Sequence, residues 1–176
     1  MLDGEEKIIQ DAIKGEASAF GLLYDKYQPQ IYRFVYLKVG HREEAEDLTH
    51  QIFLKAWQKI DKYEHRGFPF SSWLYQISRN QIIDLYRTQK KTSDLEDIVE
   101  LGENDAQLEK IDVKLETERV QKAISLLKDE YQDVIIMRFV EELSYEEMSE
   151  ILDKPQTTVR VLQHRAIKQL KDILEK

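Results

Sequence analysis

Residues 143–174 constrain the fold most strongly, because they specify two helices and the break between them. Ser144 and Glu147 have the S-x-x-E spacing of a capping box, in which each side chain bonds the backbone amide of the other residue at a helix start. Tyr145, Met148 and the apolar pair at 151–152 give this first helix one apolar side. Pro155 cannot continue the helix but suits the first turn of the next one. The sequence therefore predicts a short helix, a tight turn and a longer helix.

The second helix of this pair has two different faces. Its apolar stripe recurs at spacings of three and four and consists of Val159, Leu162, Ala166 and Leu170. The opposite face carries Thr157, Val161, His164 and Lys168, flanked by Arg160 and Arg165. No acidic residue occurs between Lys154 and Gln169, so this face favours an anion. The pattern predicts a helix-turn-helix with its second helix in a DNA groove, although two amphipathic helices that simply meet at a turn remain possible.

Composition predicts an all-α chain. Six Gly and three Pro among 176 residues provide little turn chemistry for a β-protein, and a hydrophobic content of 41% can fill compact cores. The chain has no cysteine, which excludes disulfides and thiolate metal sites and fits a reducing cytoplasm. The start of the chain does not resemble a signal peptide, and no run approaches the roughly 18 apolar residues of a membrane span. We expect a cytoplasmic protein.

The net charge of −8 is concentrated in one segment. Residues 91–118 contain ten acids and three lysines, which leaves a charge of about −1 for everything else. Overall acidity therefore does not exclude DNA binding elsewhere in the chain. Helical periodicity weakens over the same segment, so we expect a flexible acidic linker at residues 92–112. The linker would join two small helical bundles, residues 1–91 and 113–176.

Helices in the first bundle are predicted to end at Pro29 and Gly40, because proline interrupts a helix and glycine suits the position just after one. Glu46 and His50 stand four residues apart on the following helix, as two metal ligands could. Without a third ligand such a pair is far more often part of a solvated face, so no metal site is predicted. No cofactor is predicted either.

The loop at residues 61–70 has an unusual composition for a connector, since it combines two cations, a histidine and three aromatic residues. Stacking on DNA bases together with cationic contacts to the backbone needs this mixture. Alternatively Tyr63, Phe68 and Phe70 fold back on the core, which we expect for Phe70. The next helix has a basic C-terminal half, which suits either the helix dipole or a phosphate backbone.

Several segments resemble the sigma-70 family, in its extracytoplasmic-function (ECF, group four) subgroup. Region two of the family resembles residues 43–57 (EEAEDLTHQIFLKAW), 70–80 (FSSWLYQISRN) and 84–87 (DLYR). Region four resembles residues 143–152 (LSYEEMSEIL), together with 158–160 and 164–166. The matches follow the order of the family, and the gap between them is too short for region three. The first bundle is therefore expected to be region 2-like and the second region 4-like.

The resemblance implies a promoter-specificity subunit of RNA polymerase with no catalytic activity of its own. The minus-thirty-five element would be met in the major groove by Arg160, Val161, His164 and Arg165, with Thr157 and Thr158 on phosphates. The minus-ten element would be opened and held as a single non-template strand. An unstacked base would enter the loop containing Lys62, Tyr63, Arg66 and Phe68, while the strand and its phosphates would contact Arg79, Asn80 and Arg87.

The resemblance also implies protein partners. Asp47, Gln51 and Phe53 would dock on the clamp helices of the polymerase β′ subunit, and the β flap is the second expected polymerase contact. An anti-sigma factor is a further expected partner. The chain departs from the family pattern at four positions: Gln51 replaces a common Glu, Asp153 and Thr157 replace frequent glycines, and Val161 replaces a small polar residue. Aspartate tolerates the left-handed conformation that the turn at 153 requires.

Two other classes of function, a stand-alone repressor and an enzyme, fit the sequence less well. A stand-alone helix-turn-helix repressor would explain the second bundle but not the basic helix and aromatic loop of the first, and nothing resembles a dimerisation heptad. An enzyme would need convergent catalytic groups, but the chain has no cysteine and no glycine-rich phosphate loop, and its four histidines lie in unrelated contexts.

Overall fold

The computed structural model describes residues 4–93 and 111–176, and within them the protein is all helix, as predicted. The eight α-helices are α1 (Glu5–Ile13), α2 (Ala17–Val39), α3 (Arg42–Lys59), α4 (Phe70–Ser93), α5 (Ile111–Ser125), α6 (Asp129–Ile135), α7 (Tyr145–Leu152) and α8 (Gln156–Leu174). A 3-10 turn at Ile60–Lys62 follows α3, and a π-helical turn at Ile136–Val140 follows α6. Residues 94–110, most of the predicted linker, lie outside the described part.

The first four helices surround one apolar core. Helix α2 provides the central stripe, with Leu23, Tyr27, Ile31 and Phe34 all at most 5% exposed. Helix α3 packs along one side of this stripe and α4 along another. Tyr27 and Phe34 each contact an aromatic ring of α4, Phe70 and Tyr75 respectively. Because these residues recur every three or four positions, a single straight face of α2 is buried.

The predicted helix end at Pro29 is wrong, since α2 runs through this proline without interruption. Proline in a helix interior costs about 3 kcal/mol because it removes a hydrogen bond and crowds the preceding turn. The buried stripe of α2, however, spans both sides of Pro29, and ending the helix there would separate Tyr27 from Ile31. Pro29 itself is exposed, so the carbonyl that it leaves unpaired can face water. Packing of the whole stripe therefore outweighs the local preference.

The second bundle contains the helix-turn-helix. The capping box forms as predicted: the Glu147 amide donates to Ser144 Oγ (3.1 Å) and the Ser144 amide donates to a Glu147 carboxylate oxygen (2.7 Å). Asp153 ends α7 in the left-handed region (φ 51°, ψ 48°), and Pro155 precedes the first residue of α8. Helix α8 buries Val159, Leu162 and Ala166 against α6 and α7, which leaves its other face outward.

Replacing Ser144 by Ala should destabilise the second bundle. The change removes one half of the capping box and leaves the Glu147 amide without its partner, which should lower the free energy of unfolding by about 1 kcal/mol. Urea unfolding followed by circular dichroism measures the effect. The control is Glu147→Gln, which keeps an acceptor oxygen and should lower the free energy of unfolding by less. Equal losses in both variants would contradict a role for the Ser144 side chain.

Candidate nucleic-acid interface

Helix α8 presents the predicted groove-facing residues together on its outer side. Thr157, Thr158, Arg160, Val161, His164 and Arg165 are all exposed. Val161 is 47% exposed, although it is apolar and a neighbouring valine of the same helix, Val159, is fully buried. An exposed valine between two arginines can contact the methyl group of thymine, which is the apolar feature of the major groove. The face therefore combines charge-assisted donors with one apolar contact.

Arg160 is held in place by Tyr145 of α7. The guanidinium carbon of Arg160 lies 3.9 Å from the centre of the Tyr145 ring, and that of Arg138 lies 4.6 Å from the same ring. These cation–π contacts limit the conformations of Arg160 before any ligand binds. The sequence pattern does not predict this role, because it places Tyr145 on the apolar side of α7. A tyrosine at the first position of the helix, where its ring can reach beyond the core, was the available signal.

The loop before α4 borders a pocket of about 300 Å³. Its lining includes all four loop residues of the minus-ten prediction, and the full set is Lys62, Tyr63, Glu64, Arg66, Phe68, Pro69, Ser72, Trp73, Gln76 and Glu150. Glu150 belongs to α7 and the others to the first bundle. The structure thus brings the predicted cationic and aromatic residues around one cavity, at a place where the two bundles meet.

Aromatic rings form one wall of this pocket. Tyr63 packs against Phe70 and Trp73, with ring centres 5.1 Å apart in both pairs. Phe70 is 2% exposed, so the expectation that it belongs to the core is confirmed. Burial raises the pKa of the Tyr63 hydroxyl, and the nearby Glu5 carboxylate raises it further. Tyr63 therefore remains protonated at neutral pH and can donate a hydrogen bond.

Ser72 contributes an unusual hydroxyl to the pocket. Ser72 is 3% exposed, and its hydroxyl oxygen has no hydrogen-bond partner within the protein. Buried hydroxyls normally have a partner, because an unpaired one costs about 1–3 kcal/mol. Sequence analysis did not select Ser72, since a serine at a helix start usually caps the helix. Its position fits a polar ligand atom inside the cavity.

The three α4 residues that are predicted to contact DNA do not all lie on the same surface. Asn80 and Arg87 are exposed, and Arg87 lies 3.9 Å from Asp84 of its own helix. The Arg79 side chain is only 20% exposed and donates from Nε to Asp133 of α6 at 2.9 Å. Arg79 therefore does not share an open surface with Asn80 and Arg87 in this structure, because its guanidinium is already paired with the second bundle.

The predicted docking patch on α3 needs one correction. Asp47 and Gln51 are exposed, but Phe53 is 3% exposed and packs edge-on against Tyr24, with ring centres 4.8 Å apart. Phe53 stands two residues after Gln51 and therefore points to the opposite side of the helix. Leu54, which follows Gln51 by three residues, lies on the outer face and is 50% exposed. Helical periodicity alone could have identified Leu54 in place of Phe53.

No cluster of three or more metal-ligating side chains occurs among the described residues. Glu46, which stands four residues before His50, accepts a hydrogen bond from Arg42 at 2.9 Å. In the same part of the chain, no helix combines the length and the apolar character needed to cross a membrane.

Comparison with known families gives two matches. The profile described as Sigma-70 region 2 matches residues 23–92, and the one described as Sigma-70, region 4 matches residues 117–170. The first range contains the loop and nine of the ten residues that line its pocket, and the second contains the helix-turn-helix.

Individual relatives agree with these matches. The ECF RNA polymerase sigma factor SigW of Bacillus subtilis is 33% identical over 96% of this chain and 97% of its own. The ECF RNA polymerase sigma factor BldN of Streptomyces coelicolor is 32% identical over 96% of this chain. The chain spans 65% of the length of BldN.

Two solved structures share the fold. CnrH, in complex with the cytosolic domain of CnrY, superposes with a TM-score of 0.74 at 21% identity and covers 98% of this chain and 97% of its own. The sigma factor RpoE of Bartonella quintana, in complex with the anti-sigma factor NepR, also gives a TM-score of 0.74, at 24% identity over 89% of this chain and 96% of its own.

Replacing Ser72 by Ala should affect stability differently from the same change at Ser78. Both serines are buried in α4, but the Ser78 hydroxyl donates to the Leu74 carbonyl at 2.7 Å, whereas the Ser72 hydroxyl is unpaired. Because Ser78→Ala loses a hydrogen bond and Ser72→Ala loses none, Ser72→Ala should be the more stable variant by about 1 kcal/mol. Chemical unfolding of the two variants measures the difference. Equal stabilities would show that the Ser72 hydroxyl carries no penalty.

Proposed function

Because this chain belongs to the sigma-70 family and is an ECF RNA polymerase sigma factor, we propose that it directs core polymerase to specific promoters and helps to open them. The observation that carries the proposal is the presence of two separate surfaces whose exposed cations and aromatic or apolar side chains suit nucleic acid, one on α8 and one at the loop before α4. The α8 face suits duplex DNA, and the pocket before α4 suits an unstacked base. We take residues 1–91 and 113–176 as the two functional domains and 92–112 as the linker.

The second bundle would bind the minus-thirty-five element. Arg160, His164 and Arg165 have the charge and reach for base edges and phosphates of the major groove, and Val161 offers an apolar contact. Thr157 and Thr158 lie in the first turn of α8, where hydroxyls and free backbone amides suit a phosphate. Because Tyr145 already restricts Arg160, binding would require less ordering of that side chain.

The first bundle would hold the minus-ten element as a single strand. Extruding a base costs a few kcal/mol of stacking, and stacking on aromatic side chains returns about 1–3 kcal/mol per base. Tyr63 and Phe68 supply such rings, and Lys62 and Arg66 supply charge for the adjoining phosphates. Asn80 and Arg87 would extend this contact along α4. Arg79 would join them after its ion pair with Asp133 has broken.

The docking surface for core polymerase would lie on α3. Asp47, Gln51 and Leu54 share one exposed face and would contact the β′ clamp helices, with Leu54 in the place that sequence analysis gave to Phe53. The second bundle would contact the β flap. An acidic chain binds DNA weakly alone, so polymerase would supply the geometry and part of the affinity.

Further partners follow from the family. CnrH and RpoE are seen in complexes with the cytosolic domain of CnrY and with the anti-sigma factor NepR respectively, and we propose that this chain also has an anti-sigma partner. Membership of a family of non-catalytic subunits supports a protein with no enzymatic activity and no cofactor of its own. We place it in the cytoplasm, where it would meet polymerase.

A direct test combines binding with transcription. Tagged protein is mixed with purified bacterial core polymerase, and the complex then transcribes a pooled library of promoters. We expect stoichiometric binding and initiation at a defined subset, which also identifies the cognate promoters. Tight binding to duplex DNA without any binding to core polymerase would instead support a stand-alone repressor, a reading that leaves the pocket of the first bundle unexplained.

Replacing Tyr145 by Leu should weaken contact with the minus-thirty-five element, because Arg160 loses the ring that positions it. A cation–π contact at an exposed site contributes about 0.5–1 kcal/mol, so affinity should fall roughly two- to fivefold. Tyr145→Phe keeps the ring and serves as the control. Footprinting of the polymerase complex on a cognate promoter provides the measurement. If the Phe variant loses as much affinity for the promoter as the Leu variant, the ring does not position Arg160.

Replacing Asp47 and Leu54 together by Ala should weaken assembly with core polymerase at every promoter. The pair supplies a charge and an exposed apolar side chain on the same face of α3. The control is Lys59→Ala, since Lys59 is exposed on α3 but lies about 120° around the helix from Asp47. Binding is measured by titrating labelled core polymerase. A double variant that binds core normally and changes only promoter choice would rule out this docking face.

A further inference from the structure

The first bundle contains a buried carboxylate that belongs to neither candidate DNA surface. Glu5, the first residue of α1, is only 6% exposed. It accepts hydrogen bonds from the hydroxyl of Tyr27 and, at 2.9 Å, from Lys26 Nζ, both on α2. The Sigma-70 region 2 match begins at residue 23, so it covers neither Glu5 nor the rest of α1. The role of this carboxylate therefore has to be inferred from its contacts.

Glu5 is ionised and Tyr27 is protonated in this contact. Burial alone would raise the pKa of the Glu5 carboxyl, but the hydrogen bonds from Tyr27 and Lys26 outweigh it and lower that pKa. Burial raises the pKa of the Tyr27 hydroxyl, and its hydrogen bond to Glu5 raises it further. The contact is thus a charge-assisted hydrogen bond, which is roughly twice as strong as one between neutral groups.

Tyr27 connects this contact to the pocket before α4. Its ring is buried, and the ring centre lies 5.6 Å from that of Phe70. The Phe70 ring in turn lies 5.1 Å from Tyr63 and 5.5 Å from Trp73. Tyr63 and Trp73 line the pocket, and Phe70 is buried behind them. A continuous series of side chains therefore joins the Glu5 carboxylate to the aromatic wall of the pocket, which consists of Tyr63, Phe70 and Trp73.

Helix α1 also supports the backbone at which the pocket loop begins. It packs against the 3-10 turn Ile60–Lys62, and both Ile9 of α1 and Ile60 of the turn are buried. The turn ends at Lys62, which lines the pocket, and the next residue, Tyr63, donates its amide to the Ile60 carbonyl at 3.0 Å. Helix α1 therefore supports the start of the loop as well as the aromatic wall.

Stability alone does not account for a carboxylate at position 5, because an apolar residue could also fasten α1 to α2. Buried ion pairs contribute little net stability, since the loss of hydration offsets their attraction. What Glu5 adds is a fixed position for the Tyr27 hydroxyl, and so a fixed tilt of the ring that contacts Phe70. Aromatic contacts depend on the relative position and angle of the rings, so this tilt affects the whole wall.

We propose that Glu5 is a positioning residue for capture of the minus-ten strand. Through Tyr27 it holds the aromatic wall in the arrangement that receives an extruded base, and it contacts no DNA itself. A wall that is ordered before binding loses less conformational freedom when a base stacks on it, so the affinity for the strand is higher. The inference rests on the proposed function and deepens it, because it identifies the residue that sets the shape of the pocket.

An abasic scan of the minus-ten strand tests this role. Core polymerase carrying wild-type protein or Glu5→Ala is titrated with cognate promoter forks whose non-template strand is single over the minus-ten element. We expect Glu5→Ala to bind the intact fork roughly three- to tenfold more weakly, because part of the stacking on the extruded base is lost. An abasic nucleotide at the extruded position removes that base, so there the two proteins should bind equally. Equal binding to the intact fork, or a deficit that persists at every abasic position, would overturn the inference.

Two further variants separate positioning from stability. Glu5→Gln keeps an acceptor for the Tyr27 hydroxyl and should restore most of the affinity for the intact fork. Ile9→Val removes a methyl group from the packing of α1 but no part of the hydrogen-bonded contact, so it should lower stability and leave fork binding unchanged. Urea unfolding of each variant gives its stability. Weak fork binding by Ile9→Val, or no recovery with Glu5→Gln, would make α1 a structural support only and would overturn the inference.

The connection through Tyr27 has its own test. Tyr27→Phe keeps the ring but removes the hydroxyl that Glu5 holds, so it should weaken fork binding about as much as Glu5→Ala does. Because both changes break the same contact, the double variant should bind no more weakly than Glu5→Ala alone. Losses that simply multiply would show that the two residues act independently, which would overturn the inference.

Failure of the inference can be distinguished from failure of the proposed function. If no abasic position affects the binding of the wild-type complex, no base enters the pocket, and the proposed capture of the strand fails together with the inference. If one position weakens wild-type binding and weakens Glu5→Ala by the same factor, base capture stands and only the role of Glu5 is refuted.

Discussion

The polar contact between the two bundles is centred on one buried carboxylate, that of Asp133. Asp133 lies between a lysine and an arginine of the other bundle, and none of the three could remain charged and buried alone at an acceptable cost. The Tyr86 hydroxyl lies beside this cluster and donates a hydrogen bond to the backbone carbonyl of Lys38 at 2.9 Å. Burial and the charges of Asp129 and Asp133 raise the pKa of Tyr86 to about 12, so the hydroxyl keeps its proton throughout the neutral range. These polar contacts add to an apolar core that continues from the first bundle into the second.

The candidate DNA surfaces differ in how far they are prepared for a ligand. On α8, the groove-facing residues are exposed and Arg160 is already oriented by Tyr145. At the first bundle, the pocket has its aromatic wall and the unpaired Ser72 hydroxyl, but Arg79 is held by Asp133 and Glu150 stands at the edge. The candidate duplex-binding face on α8 is thus open to solvent, whereas one cation of the candidate strand-binding surface is already paired.

Features set by local rules could be predicted from the sequence. The capping box, the proline at the start of α8 and its apolar stripe each act within a few residues, and the structure contains all of them. Pro29 was misjudged because a long buried stripe outweighs a local penalty. The burial of Phe53 follows from helical periodicity, which places Leu54 rather than Phe53 on the exposed face with Gln51. The pairing of Arg79 with Asp133 could not be foreseen, since no periodic signal links residues 54 positions apart across a linker.

The distance between the bundles, measured before and after polymerase binding, tests most directly whether Arg79 must leave Asp133 before it can contact the promoter strand. Fluorophores attached through Lys59→Cys and Lys171→Cys, both exposed and outside the proposed contacts, report this distance by energy transfer in a chain with no other cysteine. Our account predicts high transfer in the free protein and a clear decrease when core polymerase is added. Transfer that is low in the free protein, or unchanged on binding, would contradict it.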